Sequence, residues 1–370
     1  MKKIGIITFH NTRNYGASLQ MFALFKYLQR QGHEVEIIDY VSNISKHYNV
    51  VFPMFRKNLI EYTKQLKYNL SHHKELVHKK SLFEEFNRKY IKLTAKKYRN
   101  TISLKLMPPD EDIYITGSDQ VWNTTLIGKV DDGYLLNFGK KETKKISYAA
   151  SIGSDKLDER YRKKLISLIS KLDKVSVREN SAKLVLSKYM DKQVSVVTDP
   201  VFLLTSEQWE EALGLTDKTN EKYIFVYLVV SSQEVVDLVN EISVNTGYPI
   251  YCINHDSRYK NVGRIIDDAD PRKFVECIKN AEYVISNSFH ATAFSIIFNR
   301  KFLVVRHKTL NARIDDLLQM VNLQCRQIMK PDDLLGIDWK KEIDYSVISA
   351  NLNTNIENAK EYLLDALESK

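Results

Sequence analysis

The stretch Ser286-Asn287-Ser288-Phe289-His290 gathers two hydroxyls, an amide and an imidazole. It stands between a β-branched run, Tyr283-Val284-Ile285, and the apolar segment "AFSIIF" that follows Ala291 and Thr292. A strand that hands over to a helix leaves the first helical N–H groups unpaired and presents the positive end of the helix dipole. Small side chains there let an anion approach. An imidazole titrates near neutrality, so it can donate a proton or bind phosphate. The plainer alternative is a helix cap by Asn287 or Ser288 with a histidine packed in the core. The clustering favours an anion-binding turn, with His290 as acid or phosphate ligand and Ser288 and Asn287 beside it.

Three further sets follow strand-like runs, where open α/β sheets hold their ligands. The first runs from His10 to Gly16. Asn14, Tyr15 and Gly16 open a helix, and Gly16 lets backbone come close to a ligand; Asn14 can equally serve as the cap. The second is Gly117-Ser118-Asp119-Gln120-Val121-Trp122-Asn123. Asp119 can act as a base, accept from a sugar hydroxyl or cap a helix, and Ser118 and Gln120 flank it. The third is Arg178. Its planar fork suits a carboxylate or phosphate, and an ion pair with Glu179 or another neighbour is the alternative. Arg306, Lys308 and Arg313 follow a later strand and could supply cations to the same chemistry, or be surface charges.

The elements that must carry these residues alternate between strand and helix. Lys3–Thr8 reads as a parallel strand buried on both faces, "ASLQMFALFKYLQRQG" as a helix closed by Gly32, and residues 34–40 as the next strand. Residues 55–98 break the pattern. They are rich in Lys, His and aromatics, and Leu76, Phe83, Phe86 and Tyr90 share one helical face, so a helical insertion is expected there. Its basic face reads as solvated, with a membrane-surface or acceptor-binding role as the lesser alternative. Strands resume at 113–116, 145–149, 175–177 and 194–198. A second series has strands at 223–230, 249–253, 283–285 and 302–305, helices at 232–245, 271–280, 290–299 and 311–321, and a last helix at 355–368. The expected architecture is α/β: two Rossmann-like domains, 1–200 and 201–370, divided near Pro200, with the final helix packing back on the first domain and a cleft between the two.

At 370 residues the chain suits two cores. The net charge of +9 comes with no nucleic-acid recognition motif, so nucleic acid is not an expected partner. Three widely spaced cysteines form no metal-like pair and no disulfide framework, which suits the reduced cytoplasm and predicts no metal. The opening apolar run is too short for a signal peptide. The sequence contains no P-loop, no GxGxxG after a strand, no HExxH and no GxSxG, which argues against an ATPase, a dinucleotide enzyme, a zinc protease and a serine hydrolase.

Taken in order, "NYGASLQMFALFKYL", "DIYITGSDQVWN", "ISYAASIG", "VSVREN", "VVTDPVFLL" and "YVISNSFHATAFSIIFNRKF" resemble the polysaccharide pyruvyl transferase family. The resemblance runs from the first strand to about residue 318. It implies a fold similar to the GT-B glycosyltransferases, with the site between two domains. It implies phosphoenolpyruvate as donor, no organic cofactor, and a sugar of a cell-surface polysaccharide or its lipid-linked precursor as acceptor. The product would be a pyruvate ketal, made in the cytoplasm, with peripheral contact to the membrane's inner face consistent with a lipid-linked acceptor. Arg178 matches the family's arginine in V-S-x-R-E, proposed to hold the donor, and His290 matches the histidine of R-x-H. Ser288 stands where that second motif has arginine. This Ser-Phe-His variant removes a bidentate cation from an anion site. A nucleotide-sugar glycosyltransferase on a similar fold, or a glycan-binding protein without activity, is the alternative reading.

Overall fold

The computed structural model describes residues 1–42, 59–216, 221–306, 312–329, 331–336 and 338–369. The chain divides into two compact units, Met1–Leu203 with Asn355–Lys370, and Leu204–Thr354.

The first unit runs β1 (Lys3–Ile7), α1 (Tyr15–Arg30), β2 (Glu34–Ile37), α2 (Leu59–Ser71), α3 (His73–Tyr90), α4 (Thr101–Leu106), β3 (Ile113–Thr116), α5 (Thr124–Ile127), β4 (Lys144–Ser147), α6 (Glu159–Ile169), β5 (Val175–Val177), α7 (Asn180–Leu186) and β6 (Val194–Val196). The sheet is parallel in the order β2-β1-β3-β4. Bridges from Ile146 to Lys174 and from Ala150 to Val177 continue it to the β5–β6 pair. Ile4, Ile6 and Ile7 of β1 are fully buried, as a strand covered on both faces requires.

Helix α1 is buried around most of its circumference because it is covered on two sides. Residues Pro200–Leu203 pack against it, and so does α3, whose Phe86 and Tyr90 rings sit 5.9 Å from the Phe22 ring. The helical insertion expected at 55–98 thus includes α2 and α3, while residues 55–58 lie outside the described residues. Its shared apolar face is the face α3 docks: Phe83 and Phe86 are buried there.

The second unit runs α8 (Ser206–Leu213), β7 (Ile224–Tyr227), α9 (Gln233–Thr246), β8 (Ile250–Ile253), β9 (Val262–Ile265), α10 (Pro271–Asn280), β10 (Tyr283–Ser286), α11 (Phe289–Ile297), β11 (Lys301–Val305), α12 (Ala312–Met320) and β12 (Gln327–Ile328). Its sheet is again parallel, in the order β12-β11-β10-β7-β8-β9. The edge strands β9 and β12 escape a periodicity argument: β9 is mostly exposed and β12 has two residues. Behind the turn that opens α11, Phe294 is fully buried. It meets Trp209 edge-on at 4.9 Å and stacks on Phe298.

The last helix, α13 (Tyr345–Glu368), starts ten residues before the expected 355. Its early turns read as polar, "YSVISANLNT", yet Ile348 and Leu352 are buried. Its residues from Asn355 onward belong to the first unit, where the Tyr362 hydroxyl donates to the Ser147 carbonyl at 3.0 Å and Lys174 pairs with Asp365 at 2.9 Å. Among the described residues, no helix is long and apolar enough to cross a membrane.

Candidate functional site

In the second unit, the carboxyl edge of the sheet is formed by the ends of β7, β10 and β11 and the turn into α11. The Ser286 hydroxyl donates to the Tyr227 carbonyl and accepts from the Ser288 N–H at 3.1 Å, which sets the turn. Asn287 does not cap the helix. Its Oδ1 accepts from the Val229 N–H and its Nδ2 donates to the Val230 carbonyl, both at 2.7 Å, so it braces the loop after β7. Ser288 is the N-cap residue by backbone geometry, but its side chain makes no capping bond. The cap alternative therefore fails for both residues. The Ser288 side chain thus contributes no cap to the N-terminal turn of α11, and the buried apolar helix behind holds that turn in place. His290 sits in that turn, half-buried, its ring edge-on to Phe289 at 5.1 Å.

The cations after β11 divide. Arg306 is exposed and pairs with Asp315 of α12 at 3.1 Å. Arg313 sits half-buried at the start of α12. Lys308 lies outside the described residues.

In the first unit the corresponding edge is closed by charge. Arg178, immediately after β5, is 8% exposed. Its Nη1 donates to Asp199 Oδ2 at 2.8 Å and to the Ser118 hydroxyl at 3.3 Å, and its Nη2 lies 3.5 Å from Glu179 Oε1. Burial alone would lower the guanidinium pKa, but Glu179, Asp199 and Asp119 outweigh burial and raise it above its ordinary value. Glu179 also accepts from the Ser151 hydroxyl at 2.6 Å. The ends of β3, β4, β5 and β6 are thereby tied through one buried network. The ion-pair alternative for Arg178 is the one the geometry displays, with Asp199 as the main partner. Ser118, expected at an acceptor surface, is fully buried in this network.

Asp119 and Ala149 end neighbouring strands with φ of 86° and 54°. That region is costly for side chains other than glycine, by roughly 1–3 kcal/mol per residue, and collects at functional sites. Half-buried Asp119 accepts at Oδ1 from the Gln120 N–H at 2.8 Å. The Gln120 side chain accepts from Asn123 Nδ2 at 2.6 Å, and Asn123 in turn caps α5. This pair presses on Gly153 at φ 67°, where a Cβ would run into both amides. Gln120 is therefore part of the support for Asp119.

At the end of β1, Asn14 caps α1 by accepting from the Ala17 N–H at 3.2 Å. Tyr15 and Gly16 are buried, and the Tyr15 ring packs on Phe83 at 5.1 Å. Both belong to the interior of the first unit. Upstream, buried His10 places Nε2 3.0 Å from Asp39 Oδ1, just after β2. Burial would raise the Asp39 carboxyl, but the hydrogen bond and charge of His10, with Lys97 and Asn11, hold it below its usual range. Asp39, Asp199 and Ser151 were not among the residues singled out in the sequence. The rule that found Arg178, a polar residue just after a strand, would have found Asp39 and Asp199. Among the described residues, no group of three His, Cys, Asp or Glu side chains could hold a metal ion.

Solved structures resemble the chain over nearly its whole length. A UDP-N-acetylglucosamine 2-epimerase of Listeria monocytogenes, titled as putative, matches with TM-score 0.54 at 13% identity, covering 99% of this chain and 96% of that one. MnaA of S. aureus in complex with UDP matches with TM-score 0.52 at 13% identity, covering 100% and 99%. UDP-GlcNAc 2-epimerase of Neisseria meningitidis bound to UDP-GlcNAc matches with TM-score 0.51 at 11% identity, covering all of both chains. At such identity the likeness speaks for fold alone, and that fold is of the GT-B class. No curated protein sequence matches the chain. The family model "Polysaccharide pyruvyl transferase" matches residues 14–309, which include the Arg178 network and the His290 turn alike. The chain belongs to the polysaccharide pyruvyl transferase family.

Proposed function

We propose that the protein transfers a pyruvyl group from phosphoenolpyruvate to a sugar of a cell-surface polysaccharide or its lipid-linked precursor, forming a pyruvate ketal. The observation that carries this is the family match across residues 14–309. The reaction needs a proton delivered to the donor's methylene carbon and attack of a sugar hydroxyl on the adjacent carbon. Phosphate then leaves with the electrons of its C–O bond, and a second hydroxyl closes the ring, each hydroxyl losing its proton. An acid, a base and a site for the departing dianion are required.

The turn at β10–α11 supplies two of these. The N-terminal turn of α11, together with Ser288, is assigned to phosphate, and His290 to the proton or to a phosphate contact. Asp119 is assigned as base or as acceptor of a sugar hydroxyl; its strained backbone aims it without help from a ligand. Arg178 is assigned a positioning role through Asp199, since its guanidinium is already engaged. The donor's carboxylate is assigned to the cations after β11, Arg306 and Arg313, with Lys308 in the same stretch. Asn287 acts indirectly, by holding the loop after β7.

The test is phosphate release from phosphoenolpyruvate in the presence of glycan acceptors, with mass spectrometry of the acceptor. Release that depends on acceptor, with a pyruvyl adduct on the glycan, is expected. Turnover of UDP-sugars with no response to phosphoenolpyruvate would replace this reading by the glycosyltransferase one.

A further inference from the structure

A cavity of about 360 Å³ opens in the first unit, between the turn Leu135-Leu136-Asn137, the approach to β4 and the segment that joins α6 to β5. It lies at the amino edge of the sheet, since Lys144 begins β4 and Asp173 precedes β5. Asp119 and Arg178 follow β3 and β5, at the other edge. The cavity is therefore separate from the residues assigned to catalysis, and its volume falls in the range of small-molecule sites.

Its floor is apolar: Leu135, Leu136, Leu168 and Leu172 are all buried. Its rim carries Lys141, Lys145 and Lys171 against a single acid, Asp173. The Asp173 carboxylate accepts from the Lys145 backbone N–H at 2.7 Å. Among the described residues, none of the three ammonium groups has a carboxylate within ion-pair distance. Some lysines elsewhere in the unit do, Lys105, Lys129, Lys140, Lys164 and Lys174 each facing an aspartate, while others such as Lys163 and Lys183 do not; what sets these three apart is that they share one cavity.

The unpaired charge has a cost. Burial lowers the Lys145 pKa and nearby Lys171 adds to that, against the pull of Asp173. The backbone adds a second cost at the same place. Leu136 holds φ at 51°, a conformation that a branched side chain rarely adopts. A half-buried lysine beside a strained backbone and two further ammonium groups is a place where an incoming anion gains favourable contacts.

We propose that this cavity binds a dianionic phosphate monoester carrying a compact apolar body. Three cations and one carboxylate leave an excess of positive charge that suits a dianion, and the leucine floor suits the apolar part. The site is independent of the transfer reaction, and binding there would be a second ligand contact on the opposite edge of the first sheet.

Calorimetric titration of phenyl phosphate and of inorganic phosphate tests it, using the full chain and the variants Lys145→Met and Lys171→Glu. Methionine keeps the packing of the lysine stem, and Lys171 is exposed, so both variants retain the fold. Saturable binding of phenyl phosphate is expected, weakened about tenfold or more by each lysine substitution. Inorganic phosphate should bind more weakly than phenyl phosphate. No saturation in the unaltered protein, or affinity that survives both lysine changes, overturns the proposal. Equal affinity for the two phosphates overturns its apolar half.

Discussion

The two sheets end their strands in opposite ways. At the carboxyl edge of the first, Arg178, Asp199, Glu179, Ser118 and Ser151 are joined in one buried network of hydrogen bonds and ion pairs. At the carboxyl edge of the second, Asn287 is turned back to brace a loop and the Ser288 side chain makes no cap to α11. One edge has its charges closed on each other. The other has its polar groups set by the Ser286 and Asn287 bonds. On the proposed reading, the first edge is a frame beside Asp119 and the second is the one open to an incoming anion.

The largest effect should come from breaking the closed edge. Arg178→Met leaves Asp199 and Glu179 buried without their cation, and uncompensated buried charge costs about 3–5 kcal/mol. A large fall in Tm is expected. Unchanged Tm with lost phosphoenolpyruvate affinity would reverse the comparison and make Arg178 a donor contact.

Asn287→Ala should cost about 1–2 kcal/mol, since it removes two 2.7 Å bonds that hold Val229 and Val230. Chemical denaturation would show it, and loosening of that loop should appear as faster amide exchange at Val229. Protection unchanged at Val229 would show that the brace is idle.

A third region sharpens the role of pairing. Glu111, just before β3, has its pKa pushed up to about 7 by burial first, then by Glu36 and Glu34. A carboxyl raised in the folded state contributes stability below its unfolded value near 4.5, and that contribution is lost as pH rises through about 7. Glu111→Gln should therefore change little at pH 4 and stabilise by roughly 1–2 kcal/mol at pH 8, allowing for partial exposure. Denaturation midpoints that shift equally at both pH values would contradict the assignment. Asp39 behaves with the opposite sign: its lowered pKa contributes stability above the usual carboxylate range and loses it as pH falls below. The smallest effect is expected at Arg306, whose exposed pair with Asp315 is worth about 1 kcal/mol or less.

Much of the scaffold is legible in the sequence because it follows simple periods. The buried runs of β1, β3 and β10 and the apolar helix α1 stand out, and so does the change of character that marks the insertion. What escaped has physical causes. The edge strand β9 and the two-residue β12 carry no alternating face. The start of α13 is polar and is held by the burial of Ile348 and Leu352, which the sequence does not display. For the site, residue type and position after a strand located Arg178, Asp119 and the turn at Ser286–His290. They could not say that Asn287 faces a neighbouring loop or that Ser118 and Tyr15 are interior, because those outcomes depend on side-chain direction in three dimensions. The Arg178–Asp199 pair joins residues 21 apart in sequence and is visible only once β5 and β6 lie side by side.

The claim that the second edge is the open one turns on His290. Calorimetric titration of phenyl phosphate cannot decide it; titration of phosphoenolpyruvate into folded His290→Ala protein can. The account predicts a Tm close to that of the unaltered chain, phosphoenolpyruvate affinity reduced about tenfold or more, and transfer lost by roughly two orders of magnitude or more. A His290→Ala protein that unfolds outright, or one that binds phosphoenolpyruvate with full affinity, would show that the histidine belongs to the core and that the turn is not an anion site.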